Sequence, residues 1–156
     1  METRQAILAH FIPKAVLKAL TREAELAVPQ GLVVAGMLGI RGFPFRVGRE
    51  LRGKIVDGVF HRVERPRRGG STLTNDLYLV DAFEMLQISR EHFSIERSGK
   101  GYQIVDRGSV CGTSVGGVRI GGNETGGTVS LRDGDEILVG SDATPYRYAF
   151  IACSED

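Results

Sequence analysis

Cysteine is scarce in this chain of 156 residues: there are two, Cys111 and Cys153. No CxxC or Cys/His spacing surrounds them, so no metal site is expected. Free thiols in a reducing compartment are the default. Long apolar runs are missing too; none approaches the roughly 20 residues that span a bilayer. The start, METRQAILAHFIPK, has an early arginine but no proper apolar core region and no AxA-type cleavage motif. It does not read as a signal peptide, and a cytoplasmic location is expected. Catalytic signatures are also absent. There is no GxSxG elbow. The stretch GGNETGGT (121–128) has phosphate-loop glycine spacing, but Gly127 stands where lysine is required. The residues after it read as strand, turn and strand instead of a helix, so no nucleotide cofactor is expected.

What is present describes a globular β protein. The chain is 42% hydrophobic and 25% charged, an ordinary composition for a single packed domain. Its 21 glycines cluster in the second half between short apolar runs. That pattern favours many short strands. Charge is uneven. Residues 41–68 hold nine Lys/Arg against three acids, whereas 121–156 hold two against seven. A basic middle points to an anionic partner. Phe43, Phe45 and Phe60 are the aromatics there, too few interleaved rings for base stacking, so nucleic acid is not expected.

Residues 3–12 have helix-compatible spacing, closed by Pro13. Residues 14–26 fit either helix or strand, with a strand favoured over 14–20. GLVVAGMLGI (31–40) reads as a strand with glycine irregularities. In FPFRVGR (43–49) Phe43, Phe45 and Val47 share one face. Gly48 is expected to end that strand, with Arg49 projecting from it. Residues 50–74 begin as a hairpin and end in PRRGGST, an exposed loop. LYLVDA reads as a strand. HFSIER, SGKG and YQIVD form a hairpin signal. RGSVCGTSVGG (107–117) reads as loop, VRI as a brief strand, and TVSL, EILVG and YRYAFIAC complete an antiparallel series. Strands every eight to twelve residues imply a sandwich or barrel with function on its end loops.

Ser89 and His92 invite a catalytic reading. A hydrolase also needs a strained nucleophile turn, an orienting third group and an oxyanion hole, and the sequence supplies no such set. The bland alternative is that His92 shapes the loop that Ser89 ends.

Four separated motifs occur in order: Gly48-Arg49, Ser89-Arg90-x-His92, DRGSVCGTSVGG and LRDGDEILVG. In this order and spacing the chain resembles the forkhead-associated (FHA) domain, in particular small bacterial FHA proteins. The resemblance covers about residues 31–153. It implies an all-β FHA-type (SMAD/FHA) sandwich of two twisted antiparallel sheets over 14–156, after a short N-terminal helical segment at 1–13. It also implies an adaptor that binds phosphothreonine peptides and is not an enzyme. Arg49 and Ser89 would hold the phosphate, Arg90 would add charge, and Gly48 and His92 would structure the loops. Val110, Cys111, Gly112 and Thr113 would contact the peptide.

The chain departs from the family pattern at the loop that is usually close to STNGTxxNG. Val110 replaces the threonine, Cys111 the asparagine that bonds the peptide backbone, and Gly116 the later asparagine. A thiol cannot supply an amide's paired bonds. That loss motivates an alternative, a degenerate FHA-like domain that binds a protein partner without phosphate. The basic insertion at 50–74, about twenty residues longer than the family has, would either extend the recognition surface or cover it, and Thr72 and Thr74 are candidate modification sites. The domain is expected to bridge two partners or to form a homodimer.

Overall fold

The computed structural model describes residues 3–5, 11–62, 75–82 and 86–153. Much of the expected helical segment at 1–13 and all of PRRGGST, with Thr72 and Thr74, lie outside the described residues. The ambiguous stretch after Pro13 divides into strand and helix. Strand β1 (Ala15–Ala19) buries Ala15 and Leu17 in alternation. Thr21 then caps helix α1 (Arg22–Ala27), its Oγ1 accepting from the Ala24 amide at 3.0 Å as hydroxyl caps do.

The remaining strands are β2 (Val33–Val34), β3 (Met37–Ile40), β4 (Phe45–Val56), β5 (Val59–Arg62), β6 (Leu77–Asp81), β7 (Phe93–Ser98), β8 (Gly101–Asp106), β9 (Thr113–Val115), β10 (Val118–Ile120), β11 (Gly127–Leu131), β12 (Glu136–Val139) and β13 (Arg147–Ala152). One sheet runs β10-β9-β12-β13-β1-β3-β2 and the other β11-β8-β7-β4-β5. Between them lies an apolar core that includes Leu17, Ile40, Val47, Leu79, Phe93, Ile104, Ile137 and Phe150. Two packed sheets with inward alternation form a sandwich.

Three local expectations change. Residues 31–40 form a hairpin, not one strand, because Ala35 (φ 54°) and Gly36 (φ 74°) turn the chain through the left-handed region. Part of the 107–117 stretch is β9, which pairs with both β10 and β12. Gly48 does not end its strand. There β4 continues, and β6 lies parallel to it from Val47↔Leu77 to Arg52↔Asp81, with a register shift between Arg49 and Leu51. That parallel pair is an exception within otherwise antiparallel sheets.

Candidate functional site

Gly48 brings two segments into close approach. A Cβ there would stand 2.0 Å from the Arg90 carbonyl oxygen and 2.5 Å from Asn75 Nδ2. Only glycine lets the 89–91 segment lie so near β4. The next residue, Arg49, is 6% exposed. Its amide donates to the Ser89 carbonyl at 3.0 Å, and its guanidinium donates to the Ile88 carbonyl at 2.6 Å. Arg49 therefore sits within a strand, fixed on segment 88–89, and does not project from a strand end.

His92 is fully buried and uses both ring nitrogens. Nδ1 accepts from the Ser89 amide at 3.0 Å, and Nε2 lies 2.7 Å from the Gly112 carbonyl oxygen. A carbonyl can only accept, so the proton belongs on Nε2. Burial pushes the imidazole pKa down, against the opposing pull of the Gly112 carbonyl and of Asp106 and Asp81. The ring is a neutral strut between two loops. It bonds the Ser89 amide, while the Ser89 hydroxyl oxygen accepts from the Val110 amide at 3.0 Å. Both His92 ring nitrogens are engaged with backbone groups, so His92 is not set as a base against that hydroxyl. The hydroxyl proton remains to be donated elsewhere. Arg90 is exposed, and its carbonyl accepts from Asn75 Nδ2 at 2.7 Å.

The 107–112 loop is built around Asp106. Its Oδ1 accepts from the amides of Gly108 (3.0 Å) and Ser109 (2.9 Å), and its Oδ2 accepts from the hydroxyls of Ser109 (2.6 Å) and Thr113 (2.8 Å). The Ser109 hydroxyl oxygen accepts in turn from the Gly112 amide at 3.0 Å. Arg119 donates to the carbonyls of Cys111 and Gly140. Gly112 and Thr113, expected to face a peptide, are buried and serve the loop's own bonding. At the tip Val110 is 54% exposed and Cys111 half-buried. Gly116 turns β9 into β10 at φ 55°.

Several residues that hold the site escaped sequence reasoning. Asn75 bonds Arg90 on one side and accepts from Arg107 at 2.5 Å on the other. Arg107 also lies 3.6 Å from Glu91. Asp81 accepts from the amides of Gln87 (2.9 Å) and Ile88 (3.0 Å) and from the Tyr146 hydroxyl (2.8 Å). Gln87 Oε1 accepts from the amide and hydroxyl of Ser141. None of these carried a local signal, whereas Asp106-x-Gly-Ser, which organises the neighbouring loop, reads as a turn. Among the described residues no group of three His, Cys, Asp or Glu could hold a metal ion, and no helix is long and apolar enough to cross a membrane.

Residues 67–140 match the family model of the FHA domain. Over that span the chain is similar to the FHA domain. The sandwich agrees with solved FHA structures. An engineered FHA domain with Myc-pTBD peptide matches at TM-score 0.53 and 15% identity, over 92% of this chain and 94% of that one. The FHA domain of a hypothetical protein from Arabidopsis thaliana matches at 0.51 and 23%, over 92% and 88%. Mycobacterium tuberculosis EmbR, solved with a low affinity phosphopeptide, matches at 0.48 and 19%, over 95% of this chain. This chain spans 28% of EmbR's length. No curated protein matches it in sequence. At such identities the first two likenesses establish the fold alone.

Proposed function

We propose that this domain binds phosphothreonine peptides through Arg49, Ser89 and Arg90, and works as an adaptor in signalling, not as an enzyme. One observation carries the reading: the Arg49 guanidinium bonds the Ile88 carbonyl, one residue before Ser89, whose hydroxyl oxygen accepts from the Val110 amide and keeps its own proton to donate. A phosphomonoester brings about −1.5 to −2 charges and three acceptor oxygens. An arginine fork and a short hydroxyl match those acceptors. Recognition of phosphorylated motifs by arginine-bearing sites is a known mode. Holding the ligand requires no nucleophile. In this reading His92 and Gly48 keep the loops in register, and the exposed Arg90 adds charge at the rim. The engineered FHA relative was solved with a Myc-pTBD peptide, which supports a peptide ligand.

Val110 and Cys111 favour a second reading, phosphate-independent binding of a protein surface. Fluorescence anisotropy separates the two. Phosphothreonine, phosphoserine and unphosphorylated peptide libraries are titrated against wild type, Arg49→Ala and Arg90→Ala. The proposal expects phosphothreonine-dependent binding that falls about ten- to a hundredfold in Arg49→Ala, the scale of one or two charge-assisted bonds, and less in Arg90→Ala. Binding that ignores phosphate and survives Arg49→Ala would establish the second reading.

A further inference from the structure

The outer face of the seven-stranded sheet carries an apolar tract. The register sets Glu136 beside Ala149, Ala149 beside Lys18, Lys18 beside Met37 and Met37 beside Val34. Their strand neighbours Ile137, Tyr148, Leu17 and Leu38 are buried in the core, so this row points outward. The next outward row is Ile151, Val16 and Gly39. Side chains paired across strands stand about 5 Å apart, which joins these residues into one surface. Val34 is 75% exposed, and Met37 and Ile151 are exposed with it. The chain enters over the same face. A Cβ on Gly39 would stand 3.1 Å from Pro13 Cβ, and Phe11 and Ile12, just before Pro13, are exposed.

The charges on this face suit a second copy of it. Lys18 is exposed, and among the described residues no acid pairs with it. Glu136 lies 3.5 Å from Arg147, a surface contact of the weak kind. Lys18 and Glu136 stand on either side of Ala149, each one strand away. A two-fold axis along β13 exchanges the flanking strands β1 and β12, and so sets a lysine against a glutamate twice. The face is thus complementary to itself, as a two-fold interface must be. The small Ala149 lets two such faces approach at the axis, and Ile151 meets its own counterpart there. A net charge of +1 leaves little general repulsion between copies.

We propose that this chain forms a two-fold dimer through the outer face of the seven-stranded sheet, with Lys18 of each copy facing Glu136 of the partner subunit. The strands from β12 to β2, about 4.8 Å apart and about 17 Å long, offer on the order of 400 Å² per copy. Phe11 and Ile12 lie at the margin of that area. It falls short of the roughly 800 Å² per partner of a stable complex, so the dimer is weak and reversible. An axis along the strands leaves segments 88–92 and 107–112 of both copies at the same end, whatever those loops bind. A ligand with two recognised groups would then gain by avidity.

Sedimentation equilibrium of the full chain between about 5 and 500 µM tests this, a range that brackets the affinity such an area allows. Wild type should pass from monomer to dimer within it. Lys18→Glu and Glu136→Lys each make both contacts repulsive, and should weaken the dimer by about tenfold or more. Mixed in equal amounts, the two variants should associate again at wild-type strength, because a mixed pair restores opposite charges at both contacts. Ile151→Asp should stay monomeric. Thermal melts verify folding. Lys18→Glu and Ile151→Asp, both at exposed positions, carry the test should Glu136→Lys fail to fold. A wild type that is monomeric throughout overturns the inference. So does a dimer indifferent to Lys18→Glu and Ile151→Asp, or two folded charge variants that stay apart on mixing. Each of these results leaves the proposed ligand standing.

Discussion

Two buried aspartates each anchor a loop at the same end of the sandwich, and they do it differently. Asp106 spends all four of its hydrogen bonds between Gly108 and Thr113, within seven residues of itself. Asp81 accepts two amides from its own loop, then reaches Tyr146, 65 residues away. The Tyr146 hydroxyl oxygen accepts in turn from the Ala82 amide at 3.1 Å. Asp106 thus organises the 107–112 loop from within, while Arg119, His92 and the amides of Asn123 and Glu124 brace it from outside. Residues 87 and 88 are held on Asp81, whose own place depends on the distant Tyr146. Ser89 lies at the seam, with its carbonyl on Arg49 and its hydroxyl on Val110. The proposed site needs both kinds of anchor.

Removing the local anchor should have the largest effect. Asp106→Ala leaves two amides and two hydroxyls without their acceptor, and should cost about 4 kcal/mol or more. Urea denaturation measures it. A cost under about 1 kcal/mol would mean that water or a neighbour replaces the carboxylate. The distant anchor should yield less. Tyr146→Phe should cost about 1–3 kcal/mol. In a double-mutant cycle Tyr146→Phe should couple strongly to Asp81→Ala and negligibly to Asp106→Ala, since coupling follows shared partners. Equal coupling to both would erase the distinction between the loops.

The smallest effect is a pH dependence at the strut between them. Burial holds His92 below its ordinary value, so the unfolded chain takes up a proton first as pH falls. Stability from this residue is therefore full above about pH 6.5. It declines as pH drops from there towards the folded value, and levels off beneath it. Protonation would also remove the Nδ1 acceptor that receives the Ser89 amide. The stability difference between wild type and His92→Gln should shrink across that window. A difference independent of pH would mean that His92 is not held neutral.

The same contrast explains what the sequence revealed. Local features were legible. HFSIER and YQIVD alternate and flank SGKG, and they form β7 and β8. Gly-Arg, Ser-Arg-x-His and Asp-x-Gly-Ser are short strings whose order identified the fold and the candidate ligands. Features that depend on distant partners were not legible. The parallel pairing of β6 with β4 leaves no mark on either strand's alternation. Asn75 drew no reading from the sequence, yet its side-chain amide bonds Arg90 and Arg107, 15 and 32 residues away. Strand β9 was hidden because Gly112, Gly116 and Gly117 surround three residues whose pairing comes from β12. Gly48 seemed to end a strand because glycine does so often. Here it is needed because the Arg90 carbonyl occupies the space a side chain would take.

The most direct test of the central claim is an amide chemical-shift titration of the full chain with a phosphothreonine peptide and its unphosphorylated copy. The account predicts perturbations confined to the phosphorylated peptide. They should be centred on Arg49, Ser89, Arg90, Val110 and Cys111, and largely lost in Arg49→Ala. Equal perturbation by both peptides, or shifts centred away from segments 86–92 and 108–112, would contradict it.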